Sequence, residues 1–427
     1  MNIFDQLLAD NQIPKFVRVR HEMDHSHIDD IEGAVAQAMR REGTLDRIKP
    51  GDSVCITAGS RDVANIARII RAICDQVKSV GAHPFIIPAM GSHAGAKAEG
   101  QRGIIEGYGV TEEAMGAPIR ASMDTEVIAH SKSGLEIHLD KFANAADFLI
   151  PVGRIKAHTD FRGEVESGIC KMLVIGMGKQ HGAYQCHKLG FKSMAANVKE
   201  FAGAIIEKKP NMFAIGLIEN AYHQTCRIEA IPAGRILAEE PPLLEYAKSR
   251  MAKVPFDQAD ILFVDETGKD ISGAGMDPNV TGRSAQNGIS RPFAERIVAR
   301  DLTDEAHHNA TGMGNADVTT RRLFDKIDME QTYPNSLTSR DINGFRIPIV
   351  MENDNLAIRF ALHTITGANA GSGYRAMWIC DTNHVQTFYV TERLLADTAA
   401  MPWLRTDGVA LRPVFGADGY FTGWGRA

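Results

Sequence analysis

Four side chains in this 427-residue chain have the types and settings that chemistry needs: His93, His158, Lys171 and His187. His93 lies in MGSHAG between Gly91 and Gly95, small neighbours that leave an imidazole open to a ligand and let backbone approach. The plainer alternative is a loop histidine bonded to backbone. His158 follows the apolar run FLIPVGRI in a stretch that also holds Arg154, Lys156, Asp160 and Arg162. So many cations beside one carboxylate suit a bound phosphate or carboxylate better than a solvated turn, because each can make a charge-assisted hydrogen bond. Lys171 sits inside the apolar run GICKMLVIGMG. A lysine buried there has a lowered pKa and an amine available for covalent chemistry, unless it snorkels from the end of an element. His187 comes sixteen residues later in KQHGAYQCHKLG, with His181 and Cys186 nearby. The spacing of these histidines matches no standard zinc signature, so the cluster alone defines no metal site.

These residues need a scaffold, and the chain supplies an alternating one. SVCITAG reads as a buried strand, RDVANIARIIRAICDQVKSVG as an amphipathic helix closed by glycine, and HPFIIPAM as the next strand. LEIHL, ADFLIPVGRI, MFAIGLIEN and RIEAIPAGRI continue as strands, with SMAANVKEFAGAII and LLEYAKSRMAK as helices. A fresh strand, ILFVDETG, follows the Pro-containing segment KVPFDQAD, and RIVARDL, IPIVMEN and AMWICDT follow it as strands. The expected fold class is therefore α/β, with two domains, each a mainly parallel sheet flanked by helices. The expected boundaries are 1–255 for an N-terminal domain carrying the site and 256–427 for a smaller domain closing a cleft. The last residues are expected either to stay with the second domain or to pack back on the first. Ligands of open parallel sheets collect at the carboxyl ends of the strands. That rule selects the loops AGSR, GSHAG, GRIKAHTDFRG and DETGKD, which an interdomain cleft would gather.

Composition narrows the function classes. Hydrophobic residues at 44% and charged residues at 23% describe a globular chain. A formal charge of −6 gives no drive toward nucleic acid or anionic lipid. No apolar run approaches the roughly 20 residues of a membrane span, and the N-terminus lacks a basic region followed by an apolar core. The six cysteines form no CxxC pair and read as reduced thiols. A cytoplasmic protein with a small-molecule substrate, no nucleic acid or membrane partner, and a possible homo-oligomeric state is expected. HEMDHSH near the N-terminus and His307–His308 read as solvated polar stretches without a role.

Taken in order, GSH at 91–93, the pair His158 and Lys171, and His187 sixteen residues on resemble the nickel-pincer-dependent lactate racemase family, over about residues 50 to 290. The resemblance implies a nickel-pincer nucleotide held by Lys171, with His187 as a nickel ligand and His93 and His158 as the two acid/base groups. It also implies cofactor-synthesis proteins as maturation partners. Soft sulfur donors with imidazole suit nickel. The reaction it implies is racemisation or epimerisation of a 2-hydroxy acid by hydride removal and return through a 2-keto acid, which avoids forming a carbanion beside a carboxylate.

Arg61 stands where the family has the arginine of a D-x-x-R stretch, and with Arg154 and Lys156 it is a candidate for cofactor contacts. Lys269 and Arg162 are candidates for substrate contacts. Three departures are visible. Ala58 replaces the acidic residue of D-x-x-R, HTDFRGEVESGICK is three residues longer and more acidic than the lactate enzymes' segment, and DETGKDISGAGMDPNVTGR is unlike their Tyr-Gln-x-x-Lys stretch. Together they point to a larger or more polar acid than lactate. The alternatives are a metal-dependent α/β hydrolase or lyase acting on a phosphorylated or carboxylate substrate, and a catalytically silent ligand-binding homologue.

Overall fold

The structure is a computed structural model that describes residues 3–60, 63–285, 288–289, 293–366 and 373–427. The chain forms two compact units. One is Asp24–Met251, and the other is Ala252–Ala427 together with the N-terminal residues up to Met23. Among the described residues no helix is long and apolar enough to cross a membrane.

In the first unit Ser53–Ala58 lies between His83–Pro88 and Phe148–Ile150, all parallel. All three strands are buried nearly throughout, which is why they read as unbroken apolar runs. A second sheet pairs Val152–Arg154 in parallel with Phe213–Glu219, which pairs antiparallel with Thr225–Pro232. Val152 N–H donates to Thr57 Oγ1 at 2.8 Å, tying the two sheets together where the chain passes from one to the other. The helix Ile66–Ser79 buries Ile66, Ile69, Ile70, Ile73 and Val77, a three- and four-residue spacing that lays one face on the sheet. An antiparallel hairpin, Thr125–His130 with Glu136–Asp140, completes the strand set described here.

The segment from Ile169 to His187 is the least regular part of this unit. It opens with one α-turn, Ile169–Lys171, runs through a π-helical turn, Met172–Gly176, and re-forms as the helix Lys179–His187. Its start is capped by a distant carboxylate, since Glu240 Oε2 accepts the Cys170 N–H at 2.8 Å. Gly168 and Gly178 leave no room for a Cβ, which would meet Glu240 Oε1 and the Val174 carbonyl respectively. Lys179 has φ +53°, a left-handed backbone that few side chains adopt. It is held there by a wholly buried ion pair with Asp140 at 3.2 Å and by a hydrogen bond from Nζ to the Pro88 carbonyl. π-Turns frequently accompany functional sites, and this one directly follows Lys171.

The second unit is built on a mixed sheet of nine strands among the described residues. Ile349–Met351, Val318–Thr320, Phe293–Leu302, Gln258–Thr267 and Ala376–Ile379 are parallel neighbours in that order. The sheet then continues antiparallel through Thr387–Thr391, Phe16–His21, Leu404–Phe415 and Phe421–Arg426. This differs from the expected span 1–255. Residues up to 23 leave the first unit because Phe16 and Val19 are buried here, with the Phe16 ring edge-on to Trp378 at 5.7 Å. The last two strands likewise extend this sheet instead of returning to the N-terminal domain. The α/β class stands, with an antiparallel half added to the expected parallel sheet.

Candidate active site

Within the first unit, two strand-end loops and the strand Val152–Arg154 converge on the Ile169–His187 segment and its start. A Cβ on Gly59 would touch Met172 at 3.3 Å, one on Gly91 would touch Ile175 at 3.1 Å, and one on Gly153 would touch the Gly168 carbonyl at 3.3 Å. Gly59 and Gly91 follow the strands Ser53–Ala58 and His83–Pro88, so the meeting place is at their carboxyl ends, where open α/β sheets bind ligands.

His158 is fixed from every side. Its backbone N–H donates to Glu166 Oε2 at 2.8 Å, its ring stacks on Phe161 at 4.1 Å, and its Nδ1 accepts the Asp160 N–H at 2.9 Å. Burial, first of all, pushes its pKa well below the ordinary value of 6.5; the charges of Lys171, His187, Lys156 and Arg162 add to the effect. That coupling puts His158, Lys171, His187, Lys156 and Arg162 in one electrostatic neighbourhood.

The cationic loop has an internal counter-charge that its sequence hides. Glu166 is wholly buried, and besides His158 it takes Lys248 Nζ at 3.0 Å and faces Arg162 at 3.8 Å. Arg162 also donates to the His158 carbonyl, and to that of Phe161 at 3.2 Å. Arg154 pairs with Glu219 at 2.6 Å, and Lys156 closes the loop base through two backbone hydrogen bonds with Ser167. Glu166 and Glu219 thus balance part of the loop's positive charge from within.

Lys171 is half-buried, whereas the lysine withdrawn from water is Lys179. The apolar surroundings read around Lys171 thus belong to its neighbour eight residues on. Lys171 stays close enough for its charge to reach both His158 and Cys186: it adds to the lowering that burial gives the His158 pKa, and it offsets part of the rise that burial gives the Cys186 thiol. His187 Nδ1 lies 2.6 Å from the Ala183 carbonyl. A carbonyl only accepts, so Nδ1 carries the proton and Nε2 carries the lone pair, the state an imidazole needs to bind a metal through Nε2.

His93 begins a short helical turn after its strand, and its Nδ1 is hydrogen-bonded to the Ser60 hydroxyl. The backbone on both sides of it is held by the buried Gln101, whose amide donates to the Gly91 carbonyl at 2.9 Å and the His93 carbonyl at 3.3 Å. Ser60 is placed in turn by the Tyr108 hydroxyl, which donates to its carbonyl at 2.8 Å. Arg61 lies outside the described residues. Lys269 belongs to the other unit, follows the strand Gln258–Thr267, and bonds to Asn335. His181 stacks on His138 at 5.5 Å. Among the described residues no group of three or more His, Cys, Asp or Glu is placed to hold a metal.

Residues 4–198 match the lactate racemase N-terminal domain. His93, His158, Lys171 and His187 all fall within it. No curated protein matches the chain. Solved structures similar to it include the following two. The lactate racemase apoprotein from Thermoanaerobacterium thermosaccharolyticum shares 16% identity over 67% of this chain and 74% of that one, with a TM-score of 0.44. A crystal structure of a protein from Thermotoga maritima shares 10% identity over 82% and 87%, also with a TM-score of 0.44.

Sequence reasoning passed over three groups in the matched region: Ser60, Glu166, and the pair Lys179 and Asp140. Ser60 stood in a strand-end loop already singled out, beside Arg61. For Glu166 the available signal was a carboxylate amid cations. Lys179 ends the same apolar run that holds Lys171, with nothing local to mark it as the buried lysine.

Proposed function

We propose that the chain is a racemase or epimerase of a 2-hydroxy carboxylic acid that works with a nickel-pincer nucleotide. One observation carries this reading. His187 is held by the Ala183 carbonyl in the tautomer that offers Nε2 to a metal, and it shares an electrostatic neighbourhood with Lys171 and His158. A single imidazole with a nearby amine fits a metal whose remaining donors arrive with an organic cofactor, and imidazole with sulfur donors suits nickel.

When bound, the nucleotide supplies the hydride acceptor and donor, and the protein's groups do the rest. Lys171 holds the nucleotide through its amine, and His187 Nε2 ligates the nickel. Lys156 and Arg162 orient the carboxylate or phosphate oxygens by charge-assisted hydrogen bonds, with Arg61 and Arg154 as further contacts to the nucleotide. Imidazole from the His93 and His158 loops meets the substrate's hydroxyl and carboxylate, and a low-dielectric setting strengthens each contact. The longer 158–171 segment favours an acid larger or more polar than lactate. No observation favours the hydrolase, lyase or silent-binder alternatives.

The test is to express the chain with the cofactor-making enzymes and measure nickel, visible absorption, and the fate of label from a 2-deuterated hydroxy acid. Bound nickel, a visible chromophore and retention of deuterium in the inverted product are expected. Absence of nickel and chromophore would sink the cofactor assignment, and solvent hydrogen entering the α-carbon at the rate of inversion would sink the hydride route.

A further inference from the structure

The histidines of this site are not interchangeable, and their hydrogen bonds assign them different work. His158 Nδ1 accepts a backbone N–H, that of Asp160, at 2.9 Å. A backbone amide only donates, so Nδ1 must keep its lone pair, and the proton of the neutral ring must sit on Nε2. Flipping the ring would put Cδ2 where Nδ1 stands and lose the Asp160 bond, tilting it out of plane would break the Phe161 stack at 4.1 Å, and moving the backbone would break the Glu166 bond to the His158 N–H. The Arg162 guanidinium, bonded to the His158 carbonyl, restrains the same residue from a third direction.

His93 has a different partner. Its Nδ1 meets the Ser60 hydroxyl, which can donate or accept. Either tautomer, and the imidazolium, can therefore be accommodated: when Nδ1 carries a proton, the hydroxyl turns to accept it, and Nε2 is left as a base. His187 is fixed the opposite way from His158 by the Ala183 carbonyl. The site thus contains one imidazole fixed with its lone pair at Nε2, one fixed with its proton at Nε2, and one whose partner adapts.

We infer that His158 is a fixed Nε2–H donor to an anionic oxygen of the substrate, and that the exchange of the hydroxyl proton falls to His93, with Ser60 as its adapting partner. This rests on the hydroxy-acid reading of the site, and it departs from a symmetric pair of bases. A neutral donor suits a substrate carboxylate because it stabilises the anion without giving up its proton. With one base for both enantiomers, the hydroxyl occupies the same place in each, and the carboxylate and the side chain exchange places. Fixed donation from His158 to the carboxylate in only one of these poses leads to unequal KM values for the two enantiomers.

The decisive measurement uses the full-length apoprotein labelled with ¹⁵N, in which long-range proton–nitrogen correlations of the imidazoles report each tautomer. His158 is expected as neutral Nε2–H and His187 as Nδ1–H. An imidazolium or an Nδ1–H tautomer for His158 at neutral pH overturns the assignment. In the cofactor-loaded enzyme, His158→Gln, whose amide offers an N–H near the Nε2 position, is expected to keep kcat/KM within about tenfold of wild type. His158→Ala is expected to lose about a hundredfold or more, mainly in KM, and His93→Gln about a thousandfold, in kcat. Equal losses for His158→Gln and His158→Ala would also overturn it, provided the other histidine resonances show both variants folded. If the wild type turns over no hydroxy acid, the reading of the reaction fails, while the apoprotein spectrum still decides the state of His158.

Discussion

At the scale of residues, the separation of two lysines matters most. Lys171 is expected to bind the cofactor and Lys179 to hold the site together, so their loss should read differently. Lys171→Ala should abolish nucleotide loading with little change in the unfolding midpoint, and His187→Ala should abolish nickel binding. Metal analysis and intact-protein mass measurement check both. Lys179→Met should leave Asp140 charged and alone in the core, at a cost of about 3–5 kcal/mol, measured by urea unfolding. Adding Asp140→Asn should recover much of that loss, because burial already drives both groups toward neutrality, raising the Asp140 pKa and lowering that of Lys179. The sequence shows both lysines in apolar company and cannot say which points inward. That depends on a left-handed residue at 179 and an aspartate 39 positions upstream, neither of which leaves a local pattern. His93 and His158, by contrast, were legible because each closely follows an apolar strand, and strand ends are where ligands gather.

At the scale of elements, the irregular helix from Ile169 depends on a cap from another helix. Burial raises the Glu240 carboxyl above its ordinary 4.5, although the amides of Cys170 and Ile169 pull it down. A carboxyl raised on folding binds its proton more tightly in the native state. Its contribution to stability is therefore fullest below pH 4.5 and is lost as pH rises through the folded-state value. Glu240→Gln is accordingly expected to raise the melting temperature at pH 7, with the gain disappearing near pH 4; a lower melting temperature at pH 7 would contradict this. The apolar strands and the amphipathic helix Ile66–Ser79 were legible because their burial is periodic along the chain. The π-turn after Lys171 was not, because its geometry follows from Gly176 packing against the Ala89 carbonyl and from Gly178 against that of Val174. Ser60 was missed for a related reason: its partner His93 lies 33 residues away, across a strand pairing that no local window contains.

At the scale of the whole molecule, the strand Phe16–His21 belongs to the unit made by residues 252–427. FVRVRH alternates apolar and charged residues as a half-buried strand does, but nothing near it in the chain shows which sheet it joins. Yet it pairs with Thr387–Thr391 on one side and Leu404–Phe415 on the other. Phe16→Ala is expected to cost about 3–5 kcal/mol, because its ring is fully buried against Trp378, Phe263 and Trp424. A fragment 252–427 should fail to fold unless residues 1–23 are supplied, for example fused after residue 427, with circular dichroism and gel filtration as the readouts. A fragment that folds without them would contradict the sheet order. The order of synthesis adds a constraint. Residues 16–21 leave the ribosome before their partner at 404–415, which emerges almost four hundred residues later. Their unpaired strand edges must wait while Asp24–Met251 can already fold, so the newborn chain's exposure to wrong partners lasts as long as the ribosome takes to travel from one strand to the other.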